Sequence, residues 1–257
     1  MTKRRDRLID RLVHRSALRR WRRLADGADG MDFYSLRRYR NQALSLRRNL
    51  DRVIHSAEYQ LALPVMGSDA FRKPMGTDWA WRPTLWKGPI AVPGFSSVAN
   101  KTMLCDGVTV FHDCRHSELT VRQVRNTRDT DLAPFGVRMD VFRFDGSFLS
   151  LVLELPPEAV EGLRLTHLIR LDTVVAMEKP LEIFARLNIK HGPNVEQVVR
   201  ELPLNEAEVT VEFDLAYTKL NEKRAERIWV DLIFESPQMN QITLHDVTFS
   251  RRPRAEL

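Results

Sequence analysis

Apolar and polar residues alternate with a period of two in many short segments after about residue 101. Successive side chains of a β-strand point to opposite sides, so this period is typical of strands with one buried and one solvated face. The clearest segments are 181–190, 209–217 and 228–234, and turn residues separate them. The pattern predicts a mainly β protein in which residues 101–257 form an antiparallel, jelly-roll-like β-sandwich.

The first 62 residues have a helical period instead, and they are strongly basic. Residues 1–60 hold 16 Lys and Arg against seven Asp and Glu, a charge of +9, whereas the whole chain carries +6. The spacing predicts a basic helical head of two helices within residues 1–62, interrupted at the glycine-containing stretch 26–30. Asp32 is expected to cap the second helix, because its carboxylate can accept the free amide hydrogens of the first turn.

The second predicted helix carries an apolar stripe between Leu36 and Ala57, at alternating steps of three and four residues. That spacing is typical of a coiled-coil seam, here over about three heptads, which is marginal for an isolated helix. Three partners for the stripe stay open: the first helix, the sandwich, or another copy of the chain.

Five arginines of the first helix are candidates for contacts with an anionic partner: Arg11, Arg15, Arg19, Arg22 and Arg23. A basic amphipathic helix can bind an anionic lipid surface, and the same charges can contact nucleic-acid phosphates. A third interpretation is docking on an acidic protein or self-association, with the arginines as a solvated face. The amphipathic pattern favours lipid over nucleic acid, because no nucleic-acid-binding module is recognisable.

Residues 63–100 are punctuated by Pro and Gly, which argues against a long regular element. The segment also holds Trp79, Trp81 and Trp86, three of the five tryptophans. Because disordered linkers are usually poor in aromatic residues, we expect an ordered arm packed on the sandwich. Lining a ligand groove is the alternative role for these side chains.

The sequence has no run of about eighteen apolar residues, so no membrane-spanning helix is expected. The basic N-terminal residues are not followed by the apolar stretch of a cleaved secretory signal. Cys105 and Cys114 are too few for a disulfide framework and suit a reducing compartment, where free buried thiols are favoured over a pair. We therefore expect a cytoplasmic protein, with the head as its means of reaching the periphery of the inner membrane.

Three segments carry a resemblance to an uncharacterised family of alphaproteobacterial proteins: Gly146–Leu151, Lys179–Asn194 and Arg251–Leu257. That resemblance implies no function, because the family has none assigned. The segments Ile228–Phe234 and Ile242–Phe249, joined by a Pro/Asn turn, loosely resemble the end of a jelly-roll carbohydrate-binding or galactose-binding-like domain. Such folds host many functions, so the likeness implies topology more than activity.

A polar row on the strand from Leu181 is the favoured binding site. It comprises Arg186, Asn188, Lys190 and His191, and Trp229 on a later strand offers an aromatic platform. A sugar ring can stack on the aromatic side chain of such a surface, and its hydroxyls can hydrogen-bond to the polar side chains. We expect this face to recognise a glycan or a protein surface, the alternative being a solvated outer face with no ligand.

His112, Cys114 and His116 are spaced by two and would share one face if residues 111–117 formed a strand. They are weak candidates for a zinc site or a Cys–His pair. A fourth ligand is not visible nearby, and purely structural roles are the favoured interpretation. No cofactor is expected.

No complete catalytic signature appears in the chain. Strand carboxylates exist, namely Glu212, Asp214, Asp231 and Glu235, and a glycosidase needs two of them at a defined separation. We therefore favour a non-enzymatic binding or scaffold protein. A carbohydrate-active enzyme and a protein that binds nucleic acid through its head are the alternatives.

Overall fold

The computed structural model describes residues 2–65, 71–128, 130–206 and 208–254, without the side chains of 2–12, 48, 51–52, 55–56 and 58–65. The chain divides into two compact units, Met1–Val53 and Ile54–Leu257. Among the described residues, no helix is long and apolar enough to cross a membrane.

The first unit is helical, as its period predicted. Helix α1 spans Thr2–Asp26, a short 3-10 turn follows, and α2 begins at Phe33 and continues to Val65 in the second unit. Asp32 caps α2 as expected: its Oδ1 accepts the amide hydrogen of Ser35 at 2.9 Å, and this bond lowers the pKa of the carboxyl group.

Besides the end of α2, the second unit contains one short α-helix and thirteen strands among its described residues. They are β1 (Trp79–Trp81), α3 (Thr84–Lys87), β2 (Gly94–Phe95), β3 (Thr102–Cys105), β4 (Val108–His112), β5 (Leu119–Arg125), β6 (Phe135–Val141), β7 (Leu149–Glu154), β8 (His167–Met177), β9 (Ile183–His191), β10 (Asn194–Glu201), β11 (Glu208–Asp214), β12 (Ala225–Phe234) and β13 (Asn240–Pro253).

These strands form two sheets, and the described pairs are antiparallel. Sheet A has the order β11-β8-β13-β6-β5-β2, with β1 paired to β13, and sheet B has the order β10-β9-β12-β7-β4-β3. Alternate apolar side chains of both sheets meet in one core. On β12, for example, Ile228, Val230 and Leu232 are buried, whereas Trp229 points outward. The predicted antiparallel β-sandwich with a helical N-terminal part is confirmed.

The Pro- and Trp-rich segment contributes elements to the sandwich. Trp86 is fully buried and its Nε1 donates to the Leu244 carbonyl at 3.0 Å. The ring of Trp81 stacks on Phe249 with centroids 5.9 Å apart, and Trp79 packs against the core. All three tryptophans therefore hold this segment onto sheet A.

Strand β13 is the centre of sheet A. One edge pairs with β8 along almost the whole strand, and the other edge is shared by β6 at Asn240–Leu244 and β1 at Phe249–Arg251. The register shifts between Leu244 and Asp246, and no strand covers 245–248 on that second edge within the described chain. Asn126 fills part of the gap by donating to the His245 carbonyl at 2.7 Å.

A buried ion pair fills the rest of this gap. Arg82, which is 0% exposed, donates from Nε to Asp246 Oδ1 at 2.9 Å and from Nη2 to Oδ2 at 2.7 Å. Burial raises the pKa of the Asp246 carboxyl, and the two bonds from Arg82 oppose that change. The bidentate geometry is what makes two buried charges tolerable here.

Replacement of Arg82 with Met is expected to lower the free energy of unfolding by about 3–5 kcal/mol, because Asp246 would be left buried and unpaired. Urea unfolding at neutral pH measures this. The control is Lys190→Met, which breaks the half-exposed pair with Glu226 and should leave the urea midpoint close to native, because exposed ion pairs contribute little. The double variant R82M/D246L should regain most of the loss; an R82M effect as small as the control's would contradict the assigned role.

Two partly buried histidines make stability depend on pH. Desolvation lowers the pKa of His167 and of His245 below the ordinary value of 6.5, and the nearby Asp78 and Asp131 only partly oppose this. The unfolded chain therefore binds protons first as the pH falls, so the folded state loses stability from about 6.5 down towards the lowered pKa values.

We expect the urea midpoint to fall between about pH 7.5 and about pH 5.5 for this reason. The double substitution His167→Gln and His245→Gln should flatten that slope. A variant with the same slope as the native protein would show that other groups cause it.

Candidate ligand-binding cleft

The outward face of sheet B contains a cleft of about 500 Å³ that crosses β4, β7, β12 and β9. We call it the sheet B cleft. It is lined by Phe111, Phe148, Ser150, Val152, Glu154, Arg186, Arg227, Trp229, Asp231 and Ile233. These residues sit at alternate positions of their strands, so the same period that buries the opposite side chains in the core directs these outward.

A buried carboxylate organises the polar part of the cleft. Asp231 is 5% exposed, and its Oδ2 accepts from Arg186 Nε at 2.8 Å and from Asn188 Nδ2 at 3.1 Å. Gln197 Nε2 in turn donates to Asn188 Oδ1 at 2.8 Å. The guanidinium of Arg186 is therefore held in a fixed orientation while part of its surface faces the cleft.

An aromatic platform lies beside this network. The Trp229 ring is half-buried, and the guanidinium of Arg227 lies 5.3 Å from its centroid. Glu154, directly opposite Trp229 on β7, forms an ion pair with Arg227. The ring is thus packed on one side by a paired cation, a contact that stabilises aromatic side chains at partly exposed sites.

Among the described residues that line the cleft, Ser150 is the one with a buried side-chain polar atom that lacks a hydrogen-bond partner. It is 6% exposed, and its Oγ is buried without a hydrogen-bond partner. On the outward face it lies between Phe111 and Ile233, its register partners on β4 and β12. A buried hydroxyl without a partner costs free energy, so a ligand hydroxyl that reached it would gain a hydrogen bond.

A clamped turn positions the Phe148 wall of the cleft. Asp113 Oδ1 accepts the amide hydrogens of Ser147 at 2.7 Å and Phe148 at 3.2 Å, and Oδ2 accepts from Ser147 Oγ at 2.6 Å. These bonds, led by that of the Ser147 side chain, lower the pKa of Asp113. A side chain at Gly146 would lie 2.5 Å from Asp113 Oδ1, so only glycine fits there.

The structure brings most of the sequence-predicted binding residues to this face. Arg186 and Trp229 line the cleft, and Asn188 lies behind Arg186 as a buried bridge. Lys190 lies further along β9, with Nζ 2.8 Å from Glu226. The expectation for His191 is wrong: it follows Lys190 directly, so strand alternation turns its ring inward, where it is 5% exposed.

Four further residues of this face were not predicted: Phe111, Phe148, Ser150 and Glu154. The run from Phe148 to Leu155 appeared continuously apolar, which concealed its outward positions. Ser150 and Glu154 lie two and six residues after Phe148 and are the polar members of that outward row. Their even spacing was the sequence signal that this side of the strand faces outward.

The predicted metal arrangement is not formed. Strand β4 ends at His112, so His112, Cys114 and His116 do not alternate along one strand. The ring of His112 is occupied: Nε2 lies 2.7 Å from the Val98 carbonyl, and Nδ1 accepts the Cys114 amide hydrogen at 3.2 Å. Within the described ranges no group of three or more His, Cys, Asp and Glu side chains could hold a metal ion. Cys105 and Cys114 are both free thiols.

The candidate catalytic carboxylates are distributed over both sheets. Asp231 faces the sheet B cleft together with Glu154, which is not one of the four carboxylates named from the sequence. Glu212 and Asp214 lie on sheet A, paired with Arg252 and Arg254. Glu235 follows the end of β12 and donates its backbone amide hydrogen to Glu182.

In the head, the candidate contact residues Arg15, Arg19, Arg22 and Arg23 are exposed on α1. Arg11 belongs to the same helix, but its side chain lies outside the described ones. The apolar stripe on α2 is largely exposed, since Leu46, Leu50 and Val53 have 37%, 51% and 66% of their surface accessible.

These features define an antiparallel β-sandwich protein with an open, partly aromatic cleft on one sheet. The chain belongs to the family of unknown function DUF6478, which matches residues 1–257. This confirms the resemblance to a family without an assigned function. No curated protein matches the chain.

Several solved structures are similar to the chain at low TM-score. The enzymatically active domain of tailspike protein 4 of bacteriophage CBA120 has 8% identity and a TM-score of 0.40, covering 56% of this chain and 19% of that chain. The family 11 carbohydrate-binding module of Clostridium thermocellum has 10% identity and a TM-score of 0.36, covering 65% and 99%. The C-terminal family 22 module of Clostridium thermocellum Xyn10B has 7% identity and a TM-score of 0.37, covering 73% and 100%. Because these TM-scores lie below 0.5, the ligands of those proteins are not carried over to this chain.

Proposed function

We propose that the sheet B cleft binds a neutral glycan chain without cleaving it. The observation that carries the proposal is the buried, unpartnered hydroxyl of Ser150 in a cleft walled by Phe111, Phe148 and Trp229. Sugars present apolar ring faces edged by hydroxyls, and a cleft that combines aromatic surface with a few placed polar groups fits both. The volume of about 500 Å³ lies within the range of small-molecule sites.

The charges of the cleft favour a neutral ligand over an acidic one. Within the cleft Arg186 is paired with Asp231 and Arg227 with Glu154, and beyond it on β9 Lys190 is paired with Glu226. An anionic ligand would have to displace a carboxylate from one of these cations, and displacement from Arg186 would leave Asp231 buried without its principal partner. Hydroxyl groups can donate to the carboxylates and accept from the arginines with the pairs intact.

Glu154 and Asp231 in one cleft keep a carbohydrate-active enzyme as the second candidate. A glycosidase needs one carboxyl that is protonated and donates to the leaving group. Both carboxylates here already accept hydrogen bonds from arginine, so neither is free to act on a leaving group. That arrangement supports binding over hydrolysis.

Affinity electrophoresis in gels containing β-glucan, xylan, galactan or agarose tests glycan binding. At least one neutral polysaccharide should retard the native protein, and Trp229→Ala should weaken the interaction about tenfold, since it removes the platform. Tyr217→Ala removes an aromatic ring that is 79% exposed elsewhere and should behave as native.

Binding in the cleft would be contradicted if Trp229→Ala and the native protein were retarded equally, or if none of the four polysaccharides retarded the native protein. The same incubations should release no new reducing ends. Release of new reducing ends by the native protein, together with no release by Asp231→Asn, would favour the enzyme.

The head is proposed to attach the protein to an anionic surface, with acidic lipid as the preferred partner. Arg11, Arg15, Arg19 and Arg23 follow one another at steps of four along α1. Like charges at this spacing repel and destabilise a helix, so an anionic surface that neutralised them would stabilise α1. Trp21 lies within the same basic stretch, where an aromatic ring suits a membrane interface.

Vesicle flotation tests this attachment. The native protein should float with vesicles containing phosphatidylserine or phosphatidylglycerol and not with phosphatidylcholine alone. The triple variant R15Q/R19Q/R22Q should lose most of the binding, at about 1 kcal/mol per removed charge. The variant R37Q/R38Q/R40Q, which removes three charges from α2, is the matched control.

Equal recovery with both vesicle types would overturn the lipid proposal. Retention on DNA that weakens steeply with salt, combined with no flotation, would assign the head to nucleic acid.

A further inference from the structure

A second cavity lies on the outward face of the other sheet. It measures about 260 Å³ and is formed mainly by β8, β11, β13 and the loop after β5, all within the second unit. We call it the sheet A pocket. Its floor is a row of three neighbouring side chains, Thr210, Asp172 and Thr248, which are register partners on β11, β8 and β13. Asp246 lies two residues before Thr248 and also lines the pocket.

One floor residue has an unused hydrogen-bonding group. Thr248 is 4% exposed and lines the pocket, and within the described chain its hydroxyl has no hydrogen-bond partner. The neighbouring Thr210 hydroxyl is fully engaged, because it bridges Asp172 and Arg170. A hydroxyl that faces a cavity without a partner inside the protein is available to a bound molecule as both donor and acceptor.

The ions around the pocket are already paired with each other. Asp172 accepts from Arg170 Nε and Nη2 at 2.7–2.9 Å. Asp131 lies 3.3 Å from Arg128 Nε, and Asp246 is held by Arg82 from behind. A charged ligand would have to break one of these pairs and leave a charge buried, which is costly. A molecule rich in hydroxyl groups can bond to both members of each pair.

We infer that the sheet A pocket binds a single polyhydroxylated ring, such as a monosaccharide or a cyclitol. The cavity is smaller than the usual range of about 300–1,000 Å³ for drug-sized ligands, so its size suits a single ring. The inference does not depend on the glycan proposal, because the two sites lie on different sheets and share no lining residue.

Saturation-transfer NMR on the full chain tests the inference, with D-glucose, D-galactose and myo-inositol as probes. At least one probe should receive saturation, whereas inorganic phosphate and ammonium should not displace it. Thr248→Val keeps the side-chain shape and removes the hydroxyl, and it should raise Kd about three- to tenfold, as expected for one lost hydrogen bond. No internal bond is lost in this variant, so its urea midpoint should not fall.

Two controls separate this result from other effects. Thr243→Val makes the same change on the same strand outside the pocket lining and should bind as native. Trp229→Ala, which impairs the sheet B cleft, should also leave probe binding unchanged.

Native-like binding by Thr248→Val, or no saturation of any of the three probes, would overturn the inference. Loss of probe binding in Trp229→Ala alone would place the binding in the sheet B cleft instead. Displacement by phosphate or ammonium would exclude a neutral ligand.

Discussion

The ion pair between Arg82 and Asp246 determines how the N-terminal part of the sandwich joins the rest. Central strand β13 has a register shift at this point, and neither β6 nor β1 covers that stretch of its edge. Beside that uncovered edge Arg82 donates two hydrogen bonds to the side chain of Asp246, which the fold has buried. The side chains of Trp86 and Asn126 donate hydrogen bonds to the backbone carbonyls of residues 244 and 245, respectively. The tryptophan-rich segment is therefore part of sheet A.

The two sheets expose different chemistry on their outward faces. Sheet B presents an open cleft with aromatic walls around one buried carboxylate, Asp231. Sheet A presents a smaller, polar pocket floored by threonine and aspartate. In sheet B the buried hydroxyl of Ser150 lacks a partner among the described residues, and in sheet A Thr248 lines the pocket.

Periodicity made the fold predictable because burial of one strand face repeats at every second residue. The row Arg186, Asn188 and Trp229 followed from this rule. Two predictions failed for local reasons. His191 is at an inward-facing position of β9, so it does not belong to the outward row. Strand β4 ends before Cys114, so His112, Cys114 and His116 do not share a strand face. The Arg82–Asp246 pair could not have been predicted, because residues 164 positions apart leave no local signal. Ser150 and Glu154 were visible only once β7 had been assigned to an outward face.

The long connection between β1 and β13 has a consequence for how the chain folds. Arg82 and Asp246 are 164 residues apart, and β6 and β8 also need β13 to complete their hydrogen bonding. Contacts between distant residues form slowly, because the entropy of closing a long loop is lost before any bond compensates it. Until β13 inserts between β8 and β6, both of those strands have an open edge on which another chain can pair. Protection of both of these strand edges in sheet A therefore depends on β13, the last strand of the described chain.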